Sequence, residues 1–148
     1  MRLFEFEAKE IFKKFGIPVP EGLTVSSQAE VASTIEKIGL PVVIKAQVLA
    51  GRRGKAGGIK FAYSLEEAVK EVGKMLNNKI GGHTVKGVLI EEKIDIEHEY
   101  YLGVTIDQFS KCPIVMFSTE GGMEIEEIVK RKPETIISMN VNVLRGFF

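Results

Sequence analysis

Residues 45–60, KAQVLAGRRGKAGGIK, hold five basic residues (Lys45, Arg52, Arg53, Lys55 and Lys60), four glycines and no acid. That composition suits an anion, because glycine lets backbone N–H groups approach an oxyanion closely while Arg and Lys supply charge. The segment is not a Walker A loop: the positions that would need Gly and Ser or Thr are Leu49 and Ala56. No strand leads into a G-x-G-x-x-G pattern either. A glycine-rich connection between two strands remains, which either covers phosphates or is a solvated hairpin loop with incidental charge. Lys45 sharpens the question. It ends the run PVVIK, where a buried strand should continue apolar, and a buried ammonium needs an anionic partner. A bound anion would be one such partner; the other reading is a strand-end lysine whose head reaches solvent.

A second group is acidic. Glu91, Glu92, Asp95, Glu97 and Glu99 fall within nine residues. Carboxylates at a hinge can accept from an adenine amino group or a ribose hydroxyl, though most of these five serve only to solvate the link. His83 and His98 have no companions at metal-ligand spacing and are expected at the surface. Cys112, the single cysteine, has no base beside it that would make it a nucleophile. STEGG, at 118–122, is either a ligand-facing turn or simply a tight one. No catalytic residue and no metal-ligand set is assigned from the chain.

The elements that must position these groups are legible from periodicity. Phe4, Ala8, Ile11, Phe12 and Phe15 recur at helical spacing, and Gly16 and Pro18 end the run. Ser27 with Glu30 reads as a capping box opening a helix with the face Val31, Ile35 and Ile38, which Gly39 stops. LPVVIKA at 40–46 is a continuously apolar strand covered on both sides. A strand at 59–63 follows the loop. Ser64 with Glu67 then opens a second helix, bearing Leu65, Ala68, Val69, Val72 and Leu76. NNKIGGH reads as a loop, and 85–92 as a strand ending in two carboxylates. Strands at 99–107 and 113–122, joined by QFSKC, precede a short helix and an extended piece.

The chain has 148 residues, 45% of them hydrophobic, and 20 bases balance 20 acids. It can therefore bury a core, and its charge makes no general case for nucleic acid or an anionic membrane. No run of about 18 apolar residues would span a bilayer. One unpaired cysteine suits a reducing compartment, and a cytoplasmic location is expected. The predicted class is α+β. Residues 21–95 should form one small lobe, and 1–20 together with 96–148 an incomplete second lobe. The ending NVNVLRGFF has neither helix stop nor polar tail, which suggests the front part of a longer polypeptide. An apolar second lobe left uncovered should self-associate.

Taken together, FEFEAKEIFKKFGIPVPEG, PVVIKAQVLAGRRGKAGGIK, VLIEEKIDIEHEYYLGV and STEGGMEIEEI resemble the start of the β subunits of succinyl-CoA synthetases, a family of acid–CoA ligases with an ATP-grasp fold. The resemblance runs from Leu3 to about Ile136, with the segments in order. It implies a complete small ATP-grasp lobe and a truncated second one. Lys45 would contact the nucleotide phosphates, and Arg52, Arg53 and Gly54 would stand in the loop that covers them. Glu91 would sit at the adenine end of the hinge, Ile94 near the base, and Glu99 would face the nucleotide from the second lobe. The implied cofactors are ATP or GTP, with Mg2+ held by ligands outside this chain, and coenzyme A, mainly on a partner α subunit. That subunit would also carry the phosphorylated histidine. The implied reaction joins succinate and coenzyme A at the expense of a nucleoside triphosphate, and this chain alone would be inactive.

The sequence departs from the family in places. Where AGGRGKAGG is usual, Arg52 replaces the second glycine, adding charge and bearing on loop backbone and nucleotide choice. Phe4 and Phe6 replace the His and Tyr of HEYQAK. Acid selection lies elsewhere, so malate–CoA ligase or the front half of ATP-citrate lyase remain open, as does a nucleotide-binding or assembly module without catalysis.

Overall fold

A computed structural model describes residues 2–51, 53–122 and 125–145. Helix α1 (Glu5–Lys14) carries Glu5 and Glu7 in its first turn and Lys13 and Lys14 in its last, the order that the helix dipole favours. The Phe4 N–H donates to Glu7 Oε2 at 2.7 Å, satisfying one of the donors free at a helix start. After β1 (Gly22–Val25), a 3-10 turn at Gln28–Glu30 leads into α2 (Val31–Ile38). Ser27 does not cap as its spacing predicts: its hydroxyl donates to Glu30 Oε1 at 2.6 Å instead of accepting from the helix. Ser26 donates to the same carboxylate, and these bonds hold Glu30 below the usual carboxylate range. The second capping serine behaves as expected. β2 (Val42–Ala46) and β3 (Ile59–Ala62) precede α3 (Leu65–Met75), where Ser64 Oγ accepts from Glu67 N at 3.2 Å.

The segment read as a loop at 77–83 contains a small hairpin, β4 (Lys79–Ile80) with β5 (His83–Thr84). Gly81 and Gly82, both at positive φ, turn it. β6 (Val88–Glu92) completes a four-stranded sheet of order β1-β6-β2-β3 in which every neighbouring pair is antiparallel. Side chains alternate across it. On one face Val42, Ile44, Ala62, Val88 and Ile90 pack with Val31, Ile35, Ala68, Val72 and Met75 of α2 and α3. The other face carries two cross-strand rows, Gly22–Glu91–Val43–Phe61 and Thr24–Leu89–Lys45–Ile59.

The chain divides into one compact unit ending at Ile94 and a second beginning at Asp95. Helix α1, expected with 96–148, groups with the first unit. The reason is electrostatic: Glu5 and Lys9 of α1 pair with charged groups on β2, β6 and the loop between β2 and β3. In the second unit β7 (Tyr101–Ile106), β8 (Pro113–Ser118) and β9 (Ile136–Asn140) form an antiparallel sheet in that order, with α4 (Ile125–Arg131) between β8 and β9 in sequence. Asp107 shapes the β7–β8 turn, accepting from the backbone of Phe109 and Ser110 and from the Ser110 hydroxyl.

Candidate functional site

Lys45 and Glu91 meet because of register. β2 and β6 pair so that Lys45 faces Leu89 and Val43 faces Glu91, which makes Lys45 and Glu91 diagonal neighbours on one face, within reach of a long side chain. Their ammonium and carboxylate form an ion pair through Glu91 Oε1, and Lys9 of α1 pairs with Oε2. Glu91 is only 2% exposed. Gly22, its neighbour on β1, leaves the room: a Cβ there would come within 2.8 Å of Glu91 Cβ.

Arg53 reaches the same place from the loop. Its guanidinium pairs with Glu5 and donates to Ala46 O at 3.2 Å. The loop around it is closed by backbone bonds, Gly58 N to Arg53 O at 2.8 Å and Gly57 N to Gly54 O at 3.1 Å. Gly57 adopts φ +79°, which favours glycine. Glu5 also lies 3.3 Å from both Lys45 and Lys9. Three cations and two carboxylates, Lys9, Lys45, Arg53, Glu5 and Glu91, thus form one network with one positive charge in excess. Burial pushes the pKa of Lys9 down from its ordinary value, against the hydrogen bond it donates to Glu91, which raises it. Arg53 is likewise lowered by burial, with the charge of Glu91 acting in the opposite direction. Both shifts express the cost of keeping cations out of water.

Of the residues singled out from the sequence, Lys45, Arg53 and Glu91 come together. Gly54 is an exposed loop residue, and Arg52 lies outside the described residues. Ile94 is 51% exposed at the end of the first unit. Glu99 is exposed in the second unit, where Gly121 and Gly122 lie so close that a Cβ at either would collide with it, at 2.4 and 2.3 Å. STEGG thus lies close against the backbone and carboxylate of Glu99. Lys60 pairs across the sheet with Ile44, on the face opposite Lys45. His83 and His98 are exposed, and His98 packs near Tyr100.

Sequence reasoning missed Glu5, Lys9 and Gln47. Glu5 and Lys9 stand four apart on α1, the spacing of a helical ion pair, which was the available signal. Gln47, 5% exposed, accepts from Phe6 N at 3.3 Å and donates to Lys45 O at 2.9 Å, joining α1 to the end of β2. A cleft of about 180 Å³ opens beside Glu91, lined by Phe6, Lys9, Lys13, Gly22, Leu23 and Leu89. Among the described residues no group of three or more His, Cys, Asp or Glu could hold a metal ion, and no helix is long and apolar enough to cross a membrane.

Residues 2–148 match the family described as ATP-grasp domain. A succinate–CoA ligase [ADP-forming] subunit beta of Methanocaldococcus jannaschii is 48% identical over 147 residues, 99% of this chain and 40% of that protein. The chain thus spans about two fifths of the length of that relative. Among solved structures, a dinucleotide-forming acetyl-coenzyme A synthetase of Ca. Korarchaeum cryptofilum, in complex with coenzyme A and Ca-AMPCP, superposes with a TM-score of 0.67 at 29% identity. The match covers 78% of this chain and 52% of that one. An ATP citrate lyase of Methanothrix soehngenii gives a TM-score of 0.72 at 21% identity, over 99% of this chain and 36% of that one, a likeness of fold.

Proposed function

The chain belongs to the ATP-grasp domain family, and from that premise we propose that it is the N-terminal, nucleotide-binding part of the β subunit of an acid–CoA ligase that forms succinyl-CoA. The observation that carries this reading is the convergence of Lys45 and Arg53, eight residues apart around a glycine loop, on one half-buried point. Two cations held there by β2 and by the loop suit the oxygens of a polyphosphate, because phosphoryl transfer depends mainly on positioning and on neutralising oxygen charge. The name of the Methanocaldococcus relative, succinate–CoA ligase [ADP-forming], supports both the acid and the nucleotide.

In this reading Lys45 and Arg53 face the phosphates, and Arg52 and Gly54 belong to the covering loop. Glu91 and Ile94 would stand toward the base, and Glu99 would be a further nucleotide-binding residue. ATP or GTP would supply the phosphoryl group. Magnesium would be held by ligands outside this chain. A partner α subunit would carry most of the coenzyme A site and the histidine that is phosphorylated. The assembly would work in the cytoplasm.

Calorimetry with ATP and magnesium tests the site. The chain should bind weakly, and Lys45→Ala should weaken binding by about 1–3 kcal/mol, the scale of a charged hydrogen bond. Affinity unchanged by that substitution would remove Lys45 from the site.

A further inference from the structure

We infer that Glu5 is an internal stand-in for the anion: it occupies Lys45 and Arg53 until a polyphosphate displaces it, and α1 lets go of the site with it. The inference deepens the nucleotide reading and rests on it for the identity of the displacing ligand. The two carboxylates of the network are not equivalent. Glu91 is 2% exposed, fixed within a central strand, and paired with Lys9 and Lys45. Glu5 is the more exposed of the two and sits in the first turn of a helix that buries no residue fully. Phe12 and Phe15 of that helix are 45% and 80% exposed.

The attachments of α1 to the rest of the unit include the pairs of Glu5 and Lys9, the Phe6–Gln47 hydrogen bond and an exposed Lys13–Glu21 pair. An element held chiefly by polar contacts, without a buried apolar face, belongs to the low-stability end of a structure. The network has one positive charge in excess while α1 is in place, and it keeps that excess when Glu5 and Lys9 leave together, with Lys45 and Arg53 then free to face the ligand. A polyphosphate carries several charges where Glu5 carries one, so it outcompetes the carboxylate for the same two cations. Space points the same way. The cleft beside Glu91 holds about 180 Å³, below the roughly 300 Å³ at which ligand pockets begin. Phe6 and Lys9 of α1 form part of its wall, so release of the helix opens it.

The test measures binding of tripolyphosphate and of ATP by calorimetry to the unaltered chain and to Glu5→Gln. Removing the competing charge should tighten tripolyphosphate binding by about five-fold or more, since less of the protein is in the self-occupied state. Equal or weaker binding by Glu5→Gln overturns the inference, and so does no binding of tripolyphosphate by either form. Tighter tripolyphosphate binding with no binding of ATP sustains the inference and sinks the nucleotide reading. ATP binding that Glu5→Gln leaves unchanged or weakens does the reverse. Should Glu5→Gln fail to fold, hydrogen exchange on the unaltered chain decides. Saturating tripolyphosphate should speed exchange at the α1 amides, including that of Ala8, which donates to Phe4 O at 3.1 Å. Unchanged or slower exchange there overturns the inference.

Discussion

Glu91 is the residue on which the charged network turns. One carboxylate, 2% exposed, accepts from two ammonium groups, one on β2 and one on α1. Replacing it with glutamine would leave Lys9, Lys45 and Arg53 with Glu5 as the remaining carboxylate of the network. Burial already lowers the pKa of Lys9, and the hydrogen bond it donates to Glu91 is the main influence opposing that shift. Glu91→Gln should therefore lower Lys9 further and cost about 3 kcal/mol, the low end for removing one partner of a buried pair, because the lysines keep some contact with water. Urea unfolding followed by circular dichroism measures the cost; a loss under about 1 kcal/mol would mean that the cations relax into solvent. Lys45 stood out in the sequence as a lysine closing an apolar strand. Its partner was not legible, because the choice of Glu91 from five neighbouring acids depends on strand register.

At the scale of elements, local chemistry and its limits show side by side. The Ser64–Glu67 spacing produces the helix start it predicts, whereas Ser27 spends its hydroxyl on Glu30 and the helix begins through a 3-10 turn. The hairpin at 79–84 was read as a loop because its strands are two residues each, too short for alternation to register. The β7–β8 turn offers a pH test. Hydrogen bonds from Ser110 and Phe109 hold Asp107 below its ordinary value of 3.8. A carboxylate with a depressed folded value stabilises fully above its unfolded pKa and loses that contribution as pH falls through the folded one. Asp107→Asn should therefore be less stable than the unaltered chain at neutral pH, and the gap should close progressively below pH 3.8. Thermal melts across that range check it; a gap that persists to the lowest pH would assign the effect to turn geometry rather than charge.

For the whole molecule, the second unit presents a problem of cover. Register places Leu102, Phe117 and Ile137 in one row and Val104, Val115 and Met139 in the next, on one face of the sheet, with Ile106 and Pro113 beyond them. Leu102 is 71% exposed, Val104 69%, Ile106 60% and Ile137 68%. A contiguous apolar face of this kind seeks a partner surface. The chain spans 40% of the length of its Methanocaldococcus relative, and in isolation it should self-associate through this face. Sedimentation should show oligomers at high concentration, and Val104→Lys should shift them toward monomer. A monomer at every concentration, or association indifferent to Val104→Lys, would contradict this.

What the sequence determined by itself is whatever rests on neighbours along the chain. Helical spacing marks α1, α2 and α3; β-branched runs mark β2 and β6; the glycine-basic segment marks a loop between two strands. Its motifs in order carry the ATP-grasp membership that residues 2–148 bear out. Tertiary structure alone decided which charges meet. Lys45 and Glu5 are 40 residues apart, and Lys9 and Glu91 are 82 apart. Each contact exists only because the antiparallel register of β2 on β6 sets two side chains on one face and α1 lies against it. Charge attraction is blind to sequence distance, so no local pattern could have chosen Glu5 for Arg53, or shown that Lys45 and Arg53 hold a carboxylate of their own.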